Sequence, residues 1–191
     1  MKRFDLISAI GVAFQLGMIM IGLVTKQYGY FFENFVFIGL IIFLDIKQNT
    51  FKINFKTFTL TILFFSMHSL AIFGLYANSH LPIPYDWIIH FFGMFVLSIV
   101  LLNWLGKDFL MCALIILACL GVGSLIENIE YFGYLNLGEG DGLLFYGSGD
   151  IDDINHVGGG FENVNIDLFM NLFGSLLGLI VFLIRRVEVK K

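Results

Sequence analysis

The stretch YDWIIHFFGMFVLSIVLLNWL, residues 85–105, decides the fold. It is long and apolar enough for a membrane helix, since a span takes roughly 20 residues. Its first turns nevertheless carry Asp86 and His90. A spacing of four places both on one helix face, and Gly93 continues that face one turn further along. Ionisable groups inside a span are costly and face a bundle interior or a wet cavity. The stretch therefore predicts a membrane helix with a polar corner near one surface.

The rest of the chain agrees. Of 191 residues, 58% are hydrophobic and only 14% charged, and the mean hydropathy is +0.87. A soluble domain is nearer 45–50% apolar and about 25% charged. The expectation is an all-α membrane protein, one membrane domain of six helices spanning about 4–24, 28–44, 57–76, 85–105, 109–129 and 166–184. The first run is too long for an ordinary signal-peptide core and lacks a small-residue cleavage site, so it reads as a retained span. Gly11, Gln15, Met18 and Gly22 line one side of it, with Gln15 read as an interhelical hydrogen-bonding residue. Glu33 and Asn34, near the start of the second span, read as solvated by water or headgroups. His68, deep in the third, reads as bonded to a neighbouring helix. Cys112 and Cys119, about 10.5 Å apart along one helix axis, are too far apart for a disulfide and read as small apolar packing residues.

Charge sets the orientation. Lys and Arg near span ends stay cytoplasmic. With six spans, Lys2, Arg3, Lys47, Lys52, Lys56, Lys107, Arg185, Arg186, Lys190 and Lys191 share one side, and Lys26 alone takes the other. Both termini are thus expected in the cytoplasm, in the cell (plasma or inner) membrane. The acidic, glycine-rich segment 133–165 is then an extracytoplasmic loop. Its Asp150, Asp152 and Asp153 invite a calcium reading, but Ile154 and Asn155 stand where an EF-hand needs a ligand and a glycine. Leu143, Leu144, Phe145 and Tyr146 are candidates for a lid at the interface.

In that orientation three helices bring polar pairs to one outer depth. Helix four supplies Asp86 and His90, backed by Gly93. Helix five ends in Glu127 and Glu130, with Gly123 four residues before Glu127. Helix six starts with Asp167 and Asn171, followed by Gly174 and Gly178, a small-xxx-small packing motif. Asp86, His90, Glu127, Glu130, Asp167 and Asn171 are the candidate ligand-binding or metal-binding set. His90, Glu127 and Asp167 are the candidates for acid–base catalysis.

These residues carry a family resemblance. YDWIIHFFG (85–93), ENIEYF (127–132) and DLFMNLFGSLLG (167–178) resemble the VanZ-like membrane proteins, and most nearly their YjdF-type branch. The resemblance covers roughly residues 80–180 and rests on the order and spacing of three short motifs. One departure precedes Asp167, where GGFENVN puts Gly160 and Asn163 in place of the acids of that branch. The family has no established reaction, so the resemblance marks a site without supplying a chemistry.

Three functions fit this pattern. The first is binding of a divalent metal ion or an amphiphilic, lipid-like or drug-like ligand, since carboxylates with one imidazole suit a harder divalent ion or zinc. The second is acid–base or metal-assisted chemistry on an outer-leaflet amphiphile, for which the sequence identifies no nucleophile. The third is a structural role in which the polar groups lock three helices, as in a subunit of a larger complex or a homo-oligomer. Membrane lipid is the expected surrounding partner. Nucleic-acid binding is excluded by the acidic loop and the small basic surface.

Overall fold

The computed structural model describes residues 3–27, 29–76, 82–106, 108–137 and 159–188. Side chains are described within these ranges except at 3–5, 29, 130–137, 159–163 and 188. The described residues form six α-helices: α1 (Arg3–Thr25), α2 (Gly29–Ile46), α3 (Phe55–Leu70), α4 (Tyr85–Leu105), α5 (Phe109–Leu137) and α6 (Gly159–Glu188). Among the described residues five stretches are long and apolar enough to cross a membrane: Leu6–Thr25, Phe55–Phe73, Tyr85–Leu105, Phe109–Ile129 and Val164–Val187. α2 has 18 residues, the first of them outside the described side chains, and is not among the five. The all-helical membrane architecture thus stands on five of the six expected spans.

Helix ends follow local chemistry. Asn54 caps α3, its side chain accepting from the Thr57 N–H at 2.9 Å, which satisfies one of the donors that a helix start leaves unpaired. α3 tightens into a 3₁₀ turn, Ala71–Phe73, and stops at Gly74, whose φ of 78° suits glycine. The expected span to residue 76 therefore ends a few residues early. Pro84 stands at the α4 N-cap, where a missing N–H costs nothing.

The segment read as a loop at 133–165 is shorter than expected. α5 continues to Leu137 and α6 begins at Gly159. Hydropathy marks where hydrocarbon ends, whereas a helix keeps its own backbone bonds beyond that depth. Residues 138–158, including Asp150, Asp152, Asp153 and the Leu143–Tyr146 lid candidates, lie outside the described residues.

The helices pack as two groups of three. α1, α2 and α3 form one, α4, α5 and α6 the other, and α3 meets α4 between them. In the first group Ile41, Phe58, Ile62 and Phe65 build a core with Val100 of α4. In the second, Met94 and Leu102 pack on Cys112, Ile115 and Cys119. Both cysteines are buried free thiols, as read. α4 and α6 make the most extensive contact of the molecule, and Gly174 and Gly178 permit it. A Cβ at Gly174 would lie 2.9 Å from the Phe91 carbonyl carbon and 3.1 Å from the Phe95 nitrogen. One at Gly178 would lie 3.0 Å from the Phe95 carbonyl oxygen. These neighbours are backbone, so no rotamer change could make room.

The end of the bundle away from Asp86 is marked by aromatic and basic groups. Phe51, in the turn after α2, stacks edge-on to Trp104 at 4.7 Å. The Arg186 guanidinium sits 5.9 Å from the Phe182 ring. Aromatic and basic side chains anchor helices at membrane surfaces in this way.

Candidate functional site

At the opposite end α4, α5 and α6 bring five polar side chains together. Asp86 and His90 share a face of α4, and His90 Nε2 lies 3.4 Å from Asp86 Oδ1. Glu127 reaches in from α5, its Oε1 3.4 Å from the same Nε2. The other ring nitrogen, Nδ1, lies 3.2 Å from Asn171 Oδ1 on α6. Asp167, one turn before Asn171, completes the group. Single ligand atoms of Asp86, His90 and Asp167 all fall within 4.8 Å of one another.

Burial makes the arrangement costly. Asp167 is 1% exposed, Asn171 0%, Glu127 5% and His90 8%. Asp86 is the most open, with 20% of its side chain exposed, and forms the mouth of the cluster. No donor among the described residues reaches either carboxylate oxygen of Asp167, although the Asp86 carboxylate lies within hydrogen-bonding reach. Asn171 Nδ2 has no acceptor among them, and Glu127 Oε1 has only the 3.4 Å approach to His90. A buried carboxylate without donors is expensive, and several with a single imidazole need a compensating cation or shared protons. Glu130 lies on the helical backbone of α5, but its side chain is outside those described.

The backing glycines differ from one another. Gly123 seats Asn171: a Cβ there would lie 2.9 Å from Asn171 Cγ. Gly174 seats α6 on α4. Gly93, expected to join the three site helices, instead faces α3, where a Cβ would lie 2.8 Å from Phe64 Cζ. The reason is rotational: three residues beyond His90, the α4 face has turned toward the other half of the bundle.

A second polar cluster lies in that half. Glu33 and Asn34 are 3% and 1% exposed, not solvated by headgroups as expected. α1 and α3 cover them, and Glu33 Oε2 lies 3.3 Å from His68 Nδ1. The Ser69 hydroxyl donates to Gln15 Oε1 at 2.7 Å, so Gln15 does bond between helices. Phe37 and Phe64 pack edge-on against His68, with ring centroids 5.3 and 6.3 Å away. The Tyr85 hydroxyl donates to the Met67 carbonyl, tying the start of α4 to α3. The sequence signal for this cluster was one or two polar residues in each of three apolar helices: Gln15, then Glu33 and Asn34, then His68 and Ser69.

No curated protein and no solved structure matches the chain. A family model described as "Predicted membrane protein (DUF2238)" matches residues 6–188, in keeping with the apolar helices, and the chain belongs to that family.

Proposed function

We propose that the protein holds a divalent cation at the outer end of the α4–α5–α6 group. In this reading Asp86, His90 and Asp167 are the ligands, and Glu127 adds charge beside them. The convergence of three ligand atoms within 4.8 Å, one from a buried Asp167 that no donor reaches among the described residues, carries the reading. A cation between these groups would give the oxygens the partner they lack, and one nitrogen with carboxylates suits a transition-metal dication. The exposed edge of Asp86 gives the ion a side open to an amphiphile's polar headgroup. A site facing outward in a six-span protein of the cell membrane, with cytoplasmic termini, follows from the segregation of Lys and Arg. The three motifs further support a place near the VanZ-like, YjdF-type proteins.

The test is a titration of the full chain in detergent with Zn²⁺ or Mn²⁺. One saturable ion per chain is expected. Glu127→Gln removes a charge at nearly constant shape and should weaken that binding about tenfold or more, the scale of outer-partner losses at metal sites. Wild-type protein that takes up no ion, or a Glu127→Gln variant that binds as tightly, contradicts the reading.

A further inference from the structure

We propose that Asn171 is a positioning residue that makes this site prefer transition-metal dications over Mg²⁺ and Ca²⁺; the proposal rests on the cation reading above. The argument begins with donors and acceptors. A carboxamide oxygen only accepts hydrogen bonds. With Asn171 Oδ1 3.2 Å from His90 Nδ1, Nδ1 carries the hydrogen and donates. In the neutral ring Nε2 is then a bare lone pair. It faces Asp86 Oδ1 and Glu127 Oε1, each at 3.4 Å. Three acceptors pointing at one another need a cation between them, either a second proton on the ring or a metal ion, and the metal takes the position the proton leaves.

Packing holds the Asn171 side chain beside the ring. Asn171 is 0% exposed. Its side chain lies over Gly123, where a Cβ would meet its Cγ at 2.9 Å. The Ser175 hydroxyl donates to the Asn171 carbonyl at 2.7 Å, bracing that turn of α6. Nδ2 has no acceptor among the described residues, and Oδ1 faces His90. Turning the amide over would put a donor against Nδ1, move the ring hydrogen to Nε2 and point it at the metal position. The nitrogen ligand would be lost and only carboxylates would remain, which suit Mg²⁺ and Ca²⁺. The partner of the non-ligating nitrogen fixes a ligand histidine's tautomer in the same manner at other metal sites.

The experiment compares Zn²⁺ and Mg²⁺, each alone, on the full chain in detergent, with ¹⁵N NMR of histidine-labelled apoprotein to read the His90 tautomer. Wild type should bind Zn²⁺ far more tightly than Mg²⁺ and carry the His90 hydrogen on Nδ1. Asn171→Leu should lose about 10–100-fold in Zn²⁺ affinity, leave Mg²⁺ binding little changed and release the tautomer. Asn171→Asp keeps an acceptor and should keep the preference. Gly123→Ala touches no ligand yet displaces the amide, and should shift both readouts in the direction of Asn171→Leu; it decides the question if the leucine variant fails to fold. Equal Zn²⁺ binding in wild type, Asn171→Leu and Gly123→Ala, with an unchanged tautomer, overturns the role of Asn171 and leaves the cation site standing. A wild type that binds no Zn²⁺ overturns the cation reading and the selectivity with it.

Discussion

His90 has both ring nitrogens committed, one to an amide oxygen and one to a pair of carboxylates. Around it acceptors outnumber donors, which is unusual in a buried setting, because an unpaired polar group costs about 1–3 kcal/mol, more when charged. Simple helix locking needs no such excess: interhelical polar contacts in membranes average about 0.6 kcal/mol and are made by matched partners. The Glu33–His68 pair and the Gln15–Ser69 hydrogen bond join helices in that way; the α4–α5–α6 cluster instead gathers three carboxyl groups around one imidazole. At this scale the sequence was legible where spacing alone decides. Asp86 with His90, and Asp167 with Asn171, are four apart on one helix and must share a face. The Glu33–His68 pair was not legible, because it joins two helices whose mutual rotation no local spacing encodes. Glu33 lies near a helix start, where solvation is the natural expectation, and only the packing of α1 and α3 over it shows otherwise.

Among the elements, helix length and membrane thickness part company. α5 has 29 residues and α6 has 30. At 1.5 Å per residue each is roughly 45 Å long, against a hydrocarbon core of about 30 Å. Apolar runs marked where the helices lie but not how far they continue past those runs. Small-residue faces were legible as positions but not as partners: Gly174 meets α4 and Gly123 receives Asn171, whereas Gly93 faces α3. The contact of Gly174 with backbone at Phe91 and Phe95 leads to a stability prediction. Gly174→Leu should destabilise the protein by at least the 1–3 kcal/mol or so of overpacking in soluble cores, because the helices must separate to admit the side chain. Thermal unfolding in detergent measures it, with Leu177→Ala, on an exposed face, as the control. A Gly174→Leu melting temperature equal to wild type would contradict the α4–α6 packing.

For the whole molecule, two three-helix groups meet at α3 and α4, and the polar cluster occupies one end of the second group. The opposite end carries Arg186 and the Phe51–Trp104 contact. In the orientation proposed above, with Lys and Arg cytoplasmic, the cluster would face out. Cysteine probes test that orientation in intact cells, since Cys112 and Cys119 are buried and should react little. An impermeant reagent should label Ser148→Cys and leave Asn49→Cys unlabelled; the reverse pattern would invert the protein and place the site on the cytoplasmic side. The central claim, a cation held by Asp86, His90 and Asp167, is tested most directly by anomalous diffraction from crystals grown with Zn²⁺ or Mn²⁺, collected on either side of the metal's absorption edge. The account predicts one buried peak, bonded to His90 Nε2 and to a carboxylate oxygen of each aspartate, at about 2.0–2.2 Å for zinc. A saturated crystal with no peak among α4, α5 and α6, or with the ion held only by surface residues elsewhere, would contradict it.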